Sequence, residues 1–405
     1  MPATPQMLAL LGGSPAFAAP LHVGRPNVGD RAALLRRIEG ILDRNWLTND
    51  GPLVREFEQR IADYVGVPHC IAMCNATVAL EIAIRGAGLT GEVIVPSYTF
   101  VATAHALQWQ EITPVFCDVD PVTHNLDPDK VEAMITPRTT GIIGVHVWGR
   151  ACAVDRLTEI AHRRKLTLMF DAAHAFGCSD RGRMLGSFGQ AEVFSFHATK
   201  FLNSFEGGAV VTTDGAFAEK LRLMRNFGFG GYDKVIYIGT NGKMTEASAA
   251  MGLTSLDSID EFVAANRRNY EAYAQRLAGI AGIAIMPYNV AERNNYQYVV
   301  VEVDPERFGL TRDELVVVLH AENVLARRYF YPGCHRMEPY RSYFPHAGLL
   351  LPETERLSGR VMLLPTGTGI DLATVAGIGD VIQIARERAS EIRRVLHERA
   401  KAVTP

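Results

Sequence analysis

AEVFSFHATKFLNSFEGG, residues 191–208, opens as a short apolar run and then delivers Ser195, His197, Thr199 and Lys200 within six residues. The run 191–196 reads as a buried strand. A second strand pattern, GGAVVTTD, follows at once. Lys200 therefore lies between two apolar strands, beside hydroxyls and a glycine pair. Lysine is seldom left inside a fold unless it is paired or chemically used. A desolvated lysine has a lowered pKa and becomes a nucleophilic amine toward a carbonyl or an aldehyde cofactor. The plainer reading is a strand-end lysine whose ammonium reaches back to water. This stretch alone leaves both open.

Outward from it, toward the N-terminus, strand-like and helix-like segments alternate. CIAMC precedes Asn75-Ala76-Thr77 and the helix VALEIAIRGAG. EVIVP precedes Ser97-Tyr98-Thr99-Phe100 and VATAHALQW. TPVFCDVD precedes a helix from about Asp129, and TGIIGVHV precedes AVDRLTEIAHRRK; LTLMFDAAHAFG closes the run. Repeated βα units predict an α/β fold with a mostly parallel sheet flanked by helices. Ligands of such sheets bind outside the carboxyl ends of the strands. The loops after the strands, at 75–77, 97–100, 171–174 and 195–200, are therefore expected to converge.

On the other side lie a helix after Asp214, the glycine-rich loop NFGFGGYDKVIYIGTNGK and a helix over 244–260. An amphipathic stretch over 261–278 reads as the bridge to a second, smaller α/β unit. That unit holds the strands YQYVVVEV and RVMLLPTG, a helix opened by the Thr311-x-x-Glu314 capping box, and one long closing helix from about Ala373. Upstream, 21–30 is a loop rich in Gly and Pro, while 31–45 and 54–64 carry helical periodicity. We divide the chain into an N-terminal arm (1–30), a large domain (31–264) and a small C-terminal domain (265–405).

With 405 residues, 48% of them hydrophobic, and a net charge of −3, the chain can bury a sizeable core. No clustered basic face points to nucleic acid, and no apolar window is long enough for a membrane span. The N-terminus lacks the basic flank of a secretion signal. The six cysteines form no C-x-x-C pair or framework. They read as reduced core thiols of a cytoplasmic protein, and His69, Cys70 and Cys74 as core rather than a metal cluster.

The four loops differ in chemistry. Ala76 and Thr77 at a helix start suit a phosphate. Phe100 offers a flat ring. Asp171 ends an apolar strand, where a carboxylate is costly unless it meets a cation or a donor. His174 follows, and Ser195 and Lys200 complete the set. Taken singly, each is an ordinary N-cap, core ring or buried histidine. A phosphate cradle, a ring stacker, a carboxylate for a pyridinium nitrogen and a lysine for an aldehyde together describe pyridoxal 5'-phosphate.

The motifs NATVALEIA, VPSYTFVATA, PVFCDVD, FDAAHAFG, SFHATKFLNSFEGG, GTNGKMTEASAAMGL and RRYFYPGCH resemble those of the sugar aminotransferases. These are fold-type I pyridoxal-phosphate enzymes acting on nucleotide-linked keto-sugars. The resemblance implies that Ala76, Thr77 and Ser195 bind the phosphate, that Phe100 stacks on the ring and that His174 sits beside it. It implies that Asp171 pairs with the pyridine nitrogen and that Lys200 forms the Schiff base. It also implies that Asn241 reaches a neighbouring subunit's phosphate, giving a homodimer with shared active sites. His174 stands where many relatives carry glutamine. A dehydrating branch of the family has histidine in place of the lysine, so Lys200 favours transamination. LHVGRPNVGD, RNWLTNDGP and the HATK form resemble 4-aminotransferases of TDP-4-keto-6-deoxy-D-glucose in antibiotic deoxysugar pathways. The expected substrates are a TDP-keto-sugar and glutamate. Lys243, Arg328, Tyr329 and His335 are candidates for the nucleotide-sugar, with Arg327 and Phe330 beside them. The alternatives are a 3-keto-sugar aminotransferase, a dehydratase-like relative, or a non-catalytic pyridoxal-phosphate-binding regulatory or scaffold protein.

Overall fold

The computed structural model describes residues 7–403. In chain order the first elements are β1 (Leu21–His22), α1 (Arg31–Arg44), α2 (Pro52–Val65), β2 (His69–Met73), α3 (Ala76–Gly86), β3 (Glu92–Pro96), α4 (Ala102–Gln108) and β4 (Thr113–Cys117). Next come α5 (Pro128–Val131), β5 (Thr139–Val145), α6 (Val154–Arg164), β6 (Thr167–Asp171) and the hairpin β7 (Ser179–Asp180) with β8 (Arg183–Met184). β9 (Ala191–Ser195), β10 (Gly208–Thr212), α7 (Gly215–Met224), α8 (Glu246–Asp257) and α9 (Ile259–Leu277) follow.

Seven strands form the main sheet in the order β2-β10-β9-β6-β5-β3-β4. β3 pairs in parallel with β4 and β5, β5 with β6, and β6 with β9, whereas β10 is antiparallel to both β2 and β9. The reason lies in the stretch that carries Lys200. A parallel return needs a crossover, usually a helix. The link from Ser195 to Gly208 has no helix, so the chain turns back beside β9. Strands at the centre are buried on both faces, as parallel sheets require. Val193 and Val210 enter one core cluster with α3, α4 and α7, while Phe194, Ala209 and Val211 enter the opposite one with α2, α6 and α8.

The C-terminal part centres on an antiparallel sheet of β11 (Ile283–Ile285), β12 (Val299–Val303) and β14 (Val361–Leu364), in the order β11-β12-β14, with β13 (Val324–Leu325) outside it. Its core includes Leu315 and Leu319 of an Arg312–Ala321 helix and Val375 and Ile378 of a Leu372–Glu387 helix. Leu8, Leu10 and Phe17 of the N-terminal arm pack into the same cluster. The buried Glu322 carboxylate accepts from Ala9 N at 2.6 Å and Ala16 N at 2.7 Å, which fixes the arm there.

Several expectations need correction. The helix from Asp129 is a single turn, Pro128–Val131, before the chain passes into a short 3-10 turn. The single closing helix is two, Leu372–Glu387 and Ala389–Val403, broken at Arg388. Residues 21–30 are not all loop, because Leu21 and His22 pair in parallel with Val324 and Leu325. The boundary at 264/265 falls inside α9, a continuous helix. Ile259 and Phe262 at its start join the large core cluster, and Tyr273 and Leu277 at its end join the C-terminal one.

Candidate active site

Asp171 ends β6 at the centre of the sheet, in register with Val145 and Val193. It is only 6% exposed. Its Oδ2 accepts from Thr103 Oγ1 at 2.8 Å, and its Oδ1 accepts from Ala173 N at 3.1 Å. No ion pair neutralises it among the described residues. Burial raises the carboxyl above its usual range, against the pull of Thr103, Ala173, Lys200 and His146. Such a group is built to receive a cation or a strong donor.

Lys200 sits in the link from β9 to β10, in a turn closed by Lys200 N donating to His197 O at 2.8 Å. The carbonyls on either side of it are held from outside the sheet. Thr199 O accepts from Gln297 Nε2 at 3.1 Å, and Phe201 O accepts from Asn27 Nδ2 at 3.3 Å. The residue as a whole is half-buried. Its ammonium is nevertheless enclosed enough that burial lowers it to about 8, although the Asp171 charge pulls the other way. Nζ makes no hydrogen bond or ion pair among the described residues.

His174 is buried against three rings, with its own ring 5.7 Å from Trp148, 5.8 Å from Phe330 and 4.5 Å from Tyr298. Its Nδ1 accepts from Trp148 N at 3.3 Å, which needs an unprotonated nitrogen. Burial, then the nearby Lys200 charge, holds it well below the ordinary histidine range. It is a neutral ring at pH 7.

The anion cradle is built by two elements. Asn75 caps α3 by accepting from Val78 N at 2.9 Å, leaving the Ala76 and Thr77 N–H groups without an intrahelical partner. Gly208 lies against that helix start; a Cβ on it would stand 2.6 Å from Ala76 N. Gly208 is paired with Ser195, so the close approach brings Ser195 to the same place. Phe100 follows β3 and is 59% exposed, leaving its ring free to stack. Ala76, Thr77, Phe100, Asp171, His174, Ser195 and Lys200 therefore lie along one carboxyl edge of the sheet.

The remaining candidates are scattered. Asn241 is exposed near the outer β2 edge; it bridges Asn226, and Lys243 two residues on bridges Met73. Its side chain has no bond within the described residues. Lys243 Nζ donates to Asn226 Oδ1 at 3.0 Å and lies 4.8 Å from the Phe227 ring centre. Tyr329 is half-buried, and its carbonyl accepts from Tyr98 OH at 2.8 Å. Arg328 is turned to Asp313 at 3.1 Å and over the Tyr331 ring. His335 is corrected from a sugar contact to an internal one. It is 2% exposed, with Nδ1 2.7 Å from Ser97 Oγ and Nε2 2.7 Å from Glu355 Oε1, so neither nitrogen is free. The sequence reading missed Thr103, Trp148 and Gln297. Thr103 stands one helical turn past Phe100 and Trp148 three residues past the end of β5, positions that carry no chemical signal of their own.

A family model described as the DegT/DnrJ/EryC1/StrS aminotransferase family matches residues 30–383. A dTDP-4-amino-4,6-dideoxy-D-glucose transaminase of Escherichia coli is 34% identical over 361 residues, covering 88% of this chain and 96% of the relative. A protein of the same description from Shigella dysenteriae is 38% identical over 321 residues, covering 79% and 87%. A crystal structure described as DesI in the presence of its TDP-sugar product is 53% identical, covers 96% of this chain and 98% of its own, and superposes with a TM-score of 0.92. The chain, with its unpartnered lysine and buried carboxylate on one sheet edge, belongs to the DegT/DnrJ/EryC1/StrS aminotransferase family, whose cofactor is pyridoxal 5'-phosphate.

Proposed function

We propose that this protein is a cytoplasmic homodimer that moves the amino group of glutamate to the C4 ketone of a TDP-4-keto-6-deoxyhexose. The observation that carries the reading is the juxtaposition of Lys200, whose Nζ makes no hydrogen bond or ion pair among the described residues, with the buried carboxylate of Asp171, close enough for each charge to act on the other. These residues fit pyridoxal phosphate: each orphaned group has a partner on it. The relatives' descriptions support the sugar.

When bound, the cofactor supplies an aldehyde for amines and a protonated ring that withdraws electrons. Asp171 holds the proton at the ring nitrogen, and the Thr103 hydroxyl keeps that carboxylate aimed. The Ala76 and Thr77 amides and the Ser195 hydroxyl anchor the phosphate. Phe100 covers one ring face, and His174 stays neutral beside it. Lys200 Nζ, with a pKa lowered to about 8, takes a proton from the donor carbon and returns one to the sugar carbon. Tyr98, Trp148, Tyr298 and Phe330 form one apolar cluster that keeps water from this end of the site.

The dimer reading is supported by an exposed apolar surface beside Asn241. Trp109, Tyr232, Val235 and Ile238 are all exposed, and Trp109 and Ile238 line one groove with Ile82 of α3. A patch of this kind marks an interface. Asn241 at its margin would then reach the phosphate of the partner's site.

The test is direct. Purified enzyme with bound cofactor should lose its visible absorption on adding glutamate and regain it on adding a TDP-4-keto-6-deoxyhexose, with a 4-amino sugar as product. Turnover of a 3-keto isomer instead would move the chemistry to the neighbouring carbon. An unchanged spectrum with glutamate would remove the transaminase reading.

A further inference from the structure

Gln297 and Asn27 fix the carbonyls on either side of Lys200, but the turn that carries the lysine must also be closed from within. Between Ser195 and Gly208 the chain has neither helix nor strand to close it. Both inner bonds of the turn come from His197. Its carbonyl accepts from Lys200 N at 2.8 Å. Its ring Nδ1 lies 3.2 Å from Thr199 N and 2.8 Å from Thr199 Oγ1. A backbone N–H can only donate, so Nδ1 is bare and the ring proton sits on Nε2. Nε2 faces Glu206 Oε1 at 3.5 Å, and a carboxylate there favours this tautomer. A side-chain acceptor that takes the N–H two residues on is an Asx turn, ordinarily made by Asn or Asp. His197 makes it with a ring nitrogen. Its side chain is 45% exposed, so the ring is not there to fill the core.

Ala198, between the two bonded residues, makes no hydrogen bond of its own among the described residues. The bond from Thr199 N to the ring is therefore what holds the first half of the turn. This inference rests on the reading of Lys200 as the residue that bonds the cofactor. In that step the neutral amine adds to the aldehyde carbon. A C=N bond forms, and the aldehyde oxygen leaves as water with both amine hydrogens. The same amine later moves the proton between cofactor and substrate carbon. Both steps need Nζ on the reacting atom, and a misplacement of about 1 Å costs on the order of 100-fold. We propose that His197 is the positioning residue of Lys200: its bare Nδ1 closes the 197–200 turn, and that turn sets where the amine stands. The ring touches no reacting atom. It acts through the backbone of Thr199, three residues from the lysine it aims.

The experiment separates the two ring nitrogens. His197→Asn puts an acceptor oxygen where Nδ1 stands and makes the Asx turn directly. His197→Gln puts its amide where Nε2 stands, toward Glu206, and leaves Thr199 N without its acceptor. Apoenzyme of full length is mixed with excess pyridoxal phosphate, and the visible absorbance gives a limiting first-order rate and a half-saturating concentration. His197→Asn should keep the limiting rate within about threefold of wild type, and His197→Gln should lose about tenfold or more. The half-saturating concentration should stay within about threefold in both, because the phosphate is held by other residues. In the holoenzyme, kcat should fall in the same order. If His197→Gln does not fold, His197→Ala removes the same acceptor and takes its place. Three results overturn the inference: a limiting rate in the Gln variant equal to wild type, an Asn variant as slow as the Gln one, or a change confined to the half-saturating concentration. The second is the result of a ring that matters only for its bulk. If wild type gains no visible band, or Lys200→Ala gains the same band at the same rate, the reading of Lys200 itself fails and this inference with it.

Discussion

Asp171 is a carboxylate whose nearest stabilisers are one threonine hydroxyl and one backbone amide. Thr103→Val removes the first while keeping shape. Its expected cost is about 1.5–3 kcal/mol in holding the charged form, read as roughly a 10- to 100-fold fall in kcat. Restoration by Thr103→Ser would separate the hydroxyl from packing. Lys200 gives a pH prediction. Burial lowers its ammonium to about 8, so apoenzyme carries mostly charged lysine at pH 7. Only the neutral amine condenses with an aldehyde. The rate of pyridoxal-phosphate uptake should therefore rise about tenfold per pH unit below that value and level off above it. A midpoint near the ordinary lysine value would show that the ammonium is solvated. Asp171 and Lys200 could be read from sequence because a charge at the end of an apolar strand is conspicuous. Thr103 could not, since a threonine inside a helix is unremarkable. His335 misled for the opposite reason: its neighbours in RRYFYPGCH gave no hint that Ser97 and Glu355 would occupy both nitrogens.

At the scale of elements, the cradle depends on how closely β10 approaches α3. Gly208→Ala would place a Cβ 2.6 Å from Ala76 N and 2.7 Å from Ala76 Cα, atoms of backbone that cannot rotate away. The helix start must shift, which costs about 1–3 kcal/mol in an overpacked site. We expect a lower melting temperature and, more tellingly, at least about tenfold weaker pyridoxal-phosphate retention, because the shift falls on the phosphate amides. Dialysis followed by absorbance of the remaining cofactor measures it; retention equal to wild type would detach the cradle from this contact. The alternation of strand and helix was legible from periodicity alone, and so was the edge to which the loops converge. Break points were less so. α8 and α9 part at Ser258, and the closing helices part at Arg388, in stretches that keep helical composition across the break. The antiparallel turn of β10 was implicit in the missing crossover helix.

The whole molecule is tied together at the site rather than around it. Asn27 of the N-terminal arm bonds both Phe201 O, next to Lys200, and Thr368 of the C-terminal part. Gln297 joins the C-terminal sheet to Thr199. None of these long-range ties is visible in sequence, because each couples residues far apart through an ordinary amide. The proposed dimer extends the same logic to a second chain. Asn241 is exposed at the outer β2 edge, its side chain without a hydrogen bond among the described residues, and it is bordered by an exposed apolar surface. If it completes the partner's phosphate site, Lys200→Ala and Asn241→Ala chains are each impaired alone for different reasons. In a mixed dimer one site receives both defects and the other receives neither. With free subunit exchange and equal mixing, about a quarter of all sites should be intact, since half the dimers are mixed and each has one good site. Activity should rise toward about a quarter of wild type as exchange proceeds, on the time course of mixed-dimer formation seen by native mass spectrometry. If mixed dimers form and activity stays at the average of the two parents, Asn241 acts within its own chain, and the two sites are independent.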